Sequence, residues 1–143
     1  MKPLPKVNGD NEEFWKGCRE HRLMFQKCAD CGHIRWPAAA LCPECLSMDT
    51  EWIEAGGRGT IYTFAVYHVA YLAAFEEDLP YVVATVELTE GPHLLTNVVG
   101  CGPDQVTCGM PVEVAWKDVT AEFSLPKFRP VLKREYGIRK FRI

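Results

Sequence analysis

Four cysteines stand in two short pairs, Cys28-Ala-Asp-Cys31 and Cys42-Pro-Glu-Cys45, with ten residues between the pairs. Each C-x2-C turn lets two thiolates converge on one ion, and the spacer folds back so that the second pair completes a tetrahedron. Zinc suits this donor set, because it has no ligand-field preference and accepts four thiolates at about 2.3 Å. Iron in a rubredoxin-like site is the rival occupant, and colour separates the two. Four protein ligands close the coordination shell, so the predicted role of the metal is structural: it folds a segment too small to fold alone. Gly32 follows the first pair and supplies the left-handed turn such a knuckle needs, whereas Leu46 stands at the equivalent place after the second.

Cys18, Cys101 and Cys108 remain. None has a neighbouring histidine in the sequence to activate it, and unligated thiols are mostly small buried apolar groups. His21, His33, His68 and His93 are scattered one per element, without an HExxH, a Ser-His-Asp grouping or paired carboxylates. No catalytic residue is predicted in this chain.

The 143 residues are 48% apolar and 24% charged, the make-up of one ordinary folded domain or two very small ones. No apolar run approaches the roughly 18 residues of a membrane span. The first ten residues lack the apolar stretch of a secretory signal, which predicts a cytoplasmic chain whose seven cysteines are thiols or metal ligands. The net charge of −3 is unevenly spread: residues 126–143 carry seven Lys/Arg and one Glu, the rest nine Lys/Arg against eighteen Asp/Glu. An acidic body argues against a general nucleic-acid binder. The basic tail fits a solvated terminus or a contact to phosphate or an acidic partner.

The elements that must position the cysteines read as follows. Asp10 and Glu13 have capping-box spacing, and Phe14, Trp15 and Cys18 form one apolar face of a short helix running to about Arg22. Gly17 weakens that helix by roughly 1 kcal/mol relative to Ala, so packing must hold it. Phe14 and Trp15 pack on their own domain or anchor a partner subunit. Strands are predicted over residues 23–27 and 47–53, flanking the cysteine region, before a strong turn at Glu54-Ala-Gly-Gly-Arg-Gly59. Residues 60–69 alternate, with Ile61, Thr63, Ala65 and Tyr67 on one face and Tyr62, Phe64 and Val66 on the other. A loop over 70–80 is greasy first (Tyr71, Leu72, Phe75) and acidic after (Glu76, Glu77, Asp78). Residues 81–88 and 93–99 form a hairpin across Thr-Glu-Gly-Pro, a strand follows at 111–119, and a last one at 119–125 is stopped by Pro126. The fold class is mainly β: an N-terminal helix, metal knuckles, then a small closed antiparallel barrel.

An ordered set of stretches adds to this reading: Phe14-Trp15, Cys28-Ala-Asp-Cys-Gly32, Cys42-Pro-Glu-Cys45, Gly57-Arg-Gly-Thr60, Pro80-Tyr-Val-Val-Ala84, Glu90-Gly-Pro92, Leu95-Thr-Asn97, Gly109-Met-Pro-Val112 and Phe128-Arg-Pro130. The set resembles the acyl-CoA-associated family with an N-terminal zinc ribbon and a C-terminal OB-fold, long catalogued as a domain of unknown function. The resemblance spans residues 10–130; Leu46 and the tail lie outside the pattern. It implies a lead and helix over 1–22, a rubredoxin-like zinc ribbon over 23–53, an antiparallel OB-fold barrel over 54–130 and a basic tail over 131–143.

Functionally, the resemblance implies a structural Zn2+ and a non-catalytic subunit in a hetero-oligomer. Members sit beside thiolases, thiolase-like synthases and aldolases of the lipid-transfer-protein type. Some of these complexes break down steroids or aromatic compounds, benzoylsuccinyl-CoA thiolase of anaerobic toluene degradation among them. The implied ligand is a CoA thioester, whose phosphates call for Arg/Lys and whose adenine calls for a stacking surface. Arg35-Trp36 and Lys127-Phe128-Arg129 each put cations beside an aromatic; the alternative is that the rings are core residues and the cations solvated. Tyr71, Leu72 and Phe75 line an acyl channel or a subunit interface, or cap the barrel. The competing class is a nucleic-acid-binding zinc-ribbon/OB module, for which Tyr62 and Phe64 are the supporting residues; a free-standing redox protein would need iron.

Overall fold

A computed structural model describes residues 2–131, so the predicted tail beyond Val131 lies outside the described residues. One α-helix, α1 (Glu12–Arg19), precedes a three-stranded antiparallel sheet of β1 (Met24–Cys28), β2 (Ile34–Arg35) and β3 (Thr50–Glu54), in the order β2-β1-β3. Five further strands close into a barrel in the order β4-β5-β6-β8-β7: β4 (Arg58–Tyr67), β5 (Tyr81–Leu88), β6 (His93–Val98), β7 (Pro111–Asp118) and β8 (Ser124–Pro130). The class is mainly β, with the helix, the four-cysteine ribbon and the small barrel in the predicted order. No described helix is long and apolar enough to cross a membrane.

The helix is shorter than its pattern implies, and its cap differs. Asn11, not Asp10, holds the N-cap position, and its side chain makes no cap bond. Instead the Asn11 amide donates to the Lys6 carbonyl at 3.1 Å and accepts the Asn8 N–H at 2.8 Å, tying down the lead. At the far end the Arg22 N–H bonds the Gly17 carbonyl (2.8 Å) and the His21 N–H the Cys18 carbonyl (2.9 Å). This is the paired closure that usually takes glycine, here with His21 in the left-handed region at φ 59. The chain must turn sharply here because β1 follows at once.

Gly17 shows why propensity did not choose this residue. A Cβ built there would lie 2.8 Å from the Arg22 carbonyl oxygen and 2.5 Å from Met24 Cγ, so the helix rests directly on the chain that returns beneath it. Gly17→Ala therefore lowers stability: overpacking costs about 1–3 kcal/mol, against the roughly 1 kcal/mol gained in helix propensity. A lower urea midpoint at unchanged slope checks this; a higher midpoint would mean that propensity decides.

Two strand readings change. In β4 the register with β5 slips between Ile61 (opposite Val86) and Thr63 (opposite Thr85), leaving Tyr62 as the extra residue of a bulge. The alternation changes phase there: Ile61 faces the core before it, Phe64 and Val66 after it, while Thr63 and Ala65 are exposed. The last strand starts at Ser124 and runs through Pro126, which therefore does not stop it. A proline is tolerated because β8 registers with β6 at one residue pair only, Val98 with Phe128. There the Thr96 hydroxyl donates to the Pro126 carbonyl at 2.7 Å in place of a ladder bond. The greasy loop also contains a short 3-10 helix, Ala73–Asp78.

One hydrophobic core joins the two sheets. Phe14, Cys18, Leu23 and Phe25, from the helix and the ribbon, share a buried cluster with Ile61, Val86, Val112 and Phe128 of the barrel.

Candidate metal centre

The two knuckles are built alike. Cys28 ends β1, the Gly32 N–H bonds back to the Cys28 carbonyl at 3.0 Å, and Gly32 takes φ 80. At the second pair the Leu46 N–H bonds the Cys42 carbonyl at 2.8 Å, and Leu46 takes φ 64 despite its Cβ. The Ser47 hydroxyl donates to the Asp30 carboxylate and so links one knuckle to the other.

These turns bring Cys28, Cys31, Cys42 and Cys45 together, with all four Sγ atoms within 4.8 Å of one another. Cys28 and Cys45 are 3.5 Å apart and Cys31 and Cys42 3.6 Å. A tetrahedron of sulfurs about 2.3 Å from one ion has edges of about 3.8 Å, so the cage fits zinc. The Cys31 N–H lies 3.5 Å from Cys28 Sγ and favours the thiolate there, whereas the Cys31 and Cys45 thiols are raised. Bound there, the ion is a structural cross-link. Cys28 and Cys42 are buried and Cys31 and Cys45 exposed, so the centre sits at the surface of the ribbon.

The other cysteines offer no activated nucleophile. Cys18 is fully buried and its thiol is pushed up to about 12 by that burial. Burial also raises Cys101, with Asp104 adding to it. Cys108 is exposed.

The residues expected to meet CoA fall into two separate sheets. Arg35 is only 4% exposed and turns inward, donating from Nη2 to the Ala39 carbonyl (2.8 Å) and to Thr50 Oγ1 (2.9 Å). Trp36 is half-buried and packs on Phe14 with ring centroids 4.1 Å apart. On β8 the strand alternation separates the expected trio: Phe128 is fully buried, and only Lys127 and Arg129 lie on the opposite face. Lys127 Nζ donates to Asn97 Oδ1 at 2.6 Å and is lowered by burial; Arg129 Nε pairs with Glu113 at 2.9 Å. Phe128 is thus an interior ring, as the alternative reading has it, whereas Arg35 is an interior cation and not a solvated one.

The expected interface residues divide similarly. Phe14 is 1% exposed, wedged among Trp36, Phe25 and Trp15, so in this chain it is a core residue. Trp15 is half-buried, its ring 6.0 Å from that of Phe123. In the greasy loop Tyr71 is 87% exposed and Leu72 is exposed, while Phe75 is half-buried beneath Lys2 Nζ at 5.8 Å. Two strand residues that were not among the expected interface residues complete an aromatic ledge: Tyr67 and Tyr81 stack at 5.2 Å, with Tyr71 edge-on to Tyr67 and Phe75 beside Tyr81.

A contact without any sequence signal joins helix and barrel. His21 Nε2 meets Asp118 Oδ1 at 2.7 Å across 97 residues of chain, and its ring stacks on Trp116 at 5.3 Å. The hydrogen bond from His21 holds the Asp118 carboxyl below its ordinary value. With that nitrogen engaged and the residue stacked, His21 acts as a clamp.

Comparison with known proteins matches both halves of this architecture. The model of the ChsH2 rubredoxin-like zinc ribbon domain matches residues 15–51, and that of the ChsH2 C-terminal OB-fold domain residues 52–117. A probable enoyl-CoA hydratase alpha subunit of Thermomonospora curvata is 43% identical over 135 residues, 94% of this chain and 42% of that protein. The chain therefore spans about two-fifths of that longer relative. A DUF35 domain-containing scaffold protein of Methanocaldococcus jannaschii is 36% identical over 107 residues, 73% of this chain and 75% of that one. Among solved structures, a chain of the Ltp2-ChsH2(DUF35) aldolase superimposes with a TM-score of 0.83 at 43% identity, covering 90% of this chain and 100% of that chain.

Proposed function

The chain belongs to the DUF35 family of zinc-ribbon and OB-fold proteins, and from that premise we propose that it is the non-catalytic subunit of an acyl-CoA-processing complex whose chemistry resides in an aldolase or thiolase-like partner. The observation that carries this reading is the correspondence, over 90% of this chain, with a chain of the Ltp2-ChsH2(DUF35) aldolase. The interior position of Cys18 supports it, since a buried thiol pushed up to about 12 is not poised as a nucleophile.

In this reading the zinc-stapled ribbon and the barrel form one rigid body that supports assembly and the handling of a CoA thioester. Tyr71 and Leu72 lie on the partner interface or the mouth of an acyl channel, with Trp15 at its edge. Lys127 and Arg129 supply positive charge for the CoA phosphates, the latter by exchanging its pairing with Glu113. The reading adds a cytoplasmic setting and, from the resemblance, a role in aromatic-compound degradation. The acidic body of the chain disfavours the nucleic-acid alternative.

The test is affinity purification of the full chain from its source organism, with the partner identified by mass spectrometry. A thiolase-like or aldolase subunit in stable association, and no acyl-CoA turnover by the chain alone, is the expected result. Recovery of nucleic acid without such a subunit, or turnover by the pure chain, overturns the proposal.

A further inference from the structure

Arg35 is the one buried cationic side chain among the described residues. Its Nη2 has two hydrogen bonds, but Nε and Nη1 are buried with none, and no carboxylate among the described residues pairs with it. A guanidinium taken from water without an anion nearby is a costly arrangement. The carboxylates of the knuckles, Asp30, Glu44 and Asp49, are all exposed, and Asp30 is engaged by Ser47. The compensating charge must come from elsewhere.

The strand register shows where. Arg35 on β2 stands opposite Gln26 of β1, and Thr50 on β3 stands opposite Cys28 of β1. Directly opposed residues share a face, and Gln26 and Cys28, two apart, share the same one. To bond Thr50 Oγ1, the Arg35 side chain must cross over β1 on the face that carries Cys28. The guanidinium, 2.9 Å from Thr50 Oγ1, thus reaches the residue directly opposite the first metal ligand, on a strand about 4.8 Å from it. A dication held by four thiolates carries a net double negative charge, and the bound ion is the largest local charge in such a site.

We infer that Arg35 is the internal counter-charge of the zinc–thiolate centre. It stabilises the loaded, anionic cage and is left uncompensated when the metal is gone. The same buried cation thus favours metal retention and disfavours the metal-free fold.

The test uses the full chain with Arg35→Gln, which keeps a hydrogen-bond donor without charge, and Arg35→Lys, which keeps the charge. Zinc affinity is read by competition with a chromophoric chelator. Arg35→Gln is expected to weaken zinc binding by about tenfold or more, the scale of outer-shell substitutions, and Arg35→Lys by less than about threefold. Melting of the metal-free proteins gives an independent reading: because the ribbon opens when the metal leaves, the metal-free Gln variant and the metal-free native chain should melt alike, so that the loss reads on the loaded cage alone. Undiminished zinc affinity in the Gln variant, equal losses in both variants, or a lower metal-free melting point for Gln would each make Arg35 a hydrogen-bonded strut and overturn the inference.

Discussion

Cys42→Ser releases the metal and unfolds the ribbon while the barrel persists at reduced stability. Cys42 is a fully buried ligand, and the second knuckle has little else to hold it. The sheet beside it is small: β2 registers with β1 at two pairs and β3 with β1 at five. In small zinc modules metal binding contributes on the order of 10–16 kcal/mol, more than so short a sheet can replace. The barrel closes its own ladder from β4 to β8, so it does not depend on the ion for pairing. It does share its core with Phe14, Leu23 and Phe25, so it loses packing when the ribbon opens. Elemental analysis should find less than one zinc per chain, and hydrogen exchange should show protection lost in β1 and β3 but kept in β5 and β7. A variant that retains one ion per chain contradicts the four-sulfur assignment.

Phe14→Ala is expected to cost about 3–5 kcal/mol of stability, the range for emptying a large aromatic site. Phe14 is almost wholly enclosed, with Trp36 at 4.1 Å, Trp15 at 5.0 Å and Phe25 at 6.3 Å between ring centroids. It is the wedge by which α1 secures the ribbon. The urea midpoint of the isolated chain reads the effect, and Trp15→Ala, at a half-exposed position, should lower it less. If Phe14 instead served as a partner anchor, the isolated variant would keep its midpoint and only complex formation would weaken.

Much of the site could be read from residue spacing. Two C-x2-C turns separated by ten residues place four sulfurs by local geometry, and the structure has them within 4.8 Å. The hairpin of β5 and β6 and the strand at β7 were legible because alternation and the Gly-Pro turn are also local signals. The face of β4 was not, because a bulge at Tyr62 reverses the phase of a pattern that looks continuous in sequence. Pro126 misled for a related reason: proline opposes a paired strand position, and only the barrel seam made its position permissive.

Composition and short-range spacing by themselves determined a β-rich chain with one structural metal cage, since ligand convergence there needs only two tight turns. Which cations reach solvent was decided by the tertiary structure. Arg35 looks like any surface arginine until β2 pairs with β1 and carries it inward, and Phe128 sits between two cations that strand alternation sends the other way. The His21–Asp118 clamp likewise exists only because the turn after α1 lies against β7. Such features depend on register and on contacts between distant segments, which no window along the chain contains.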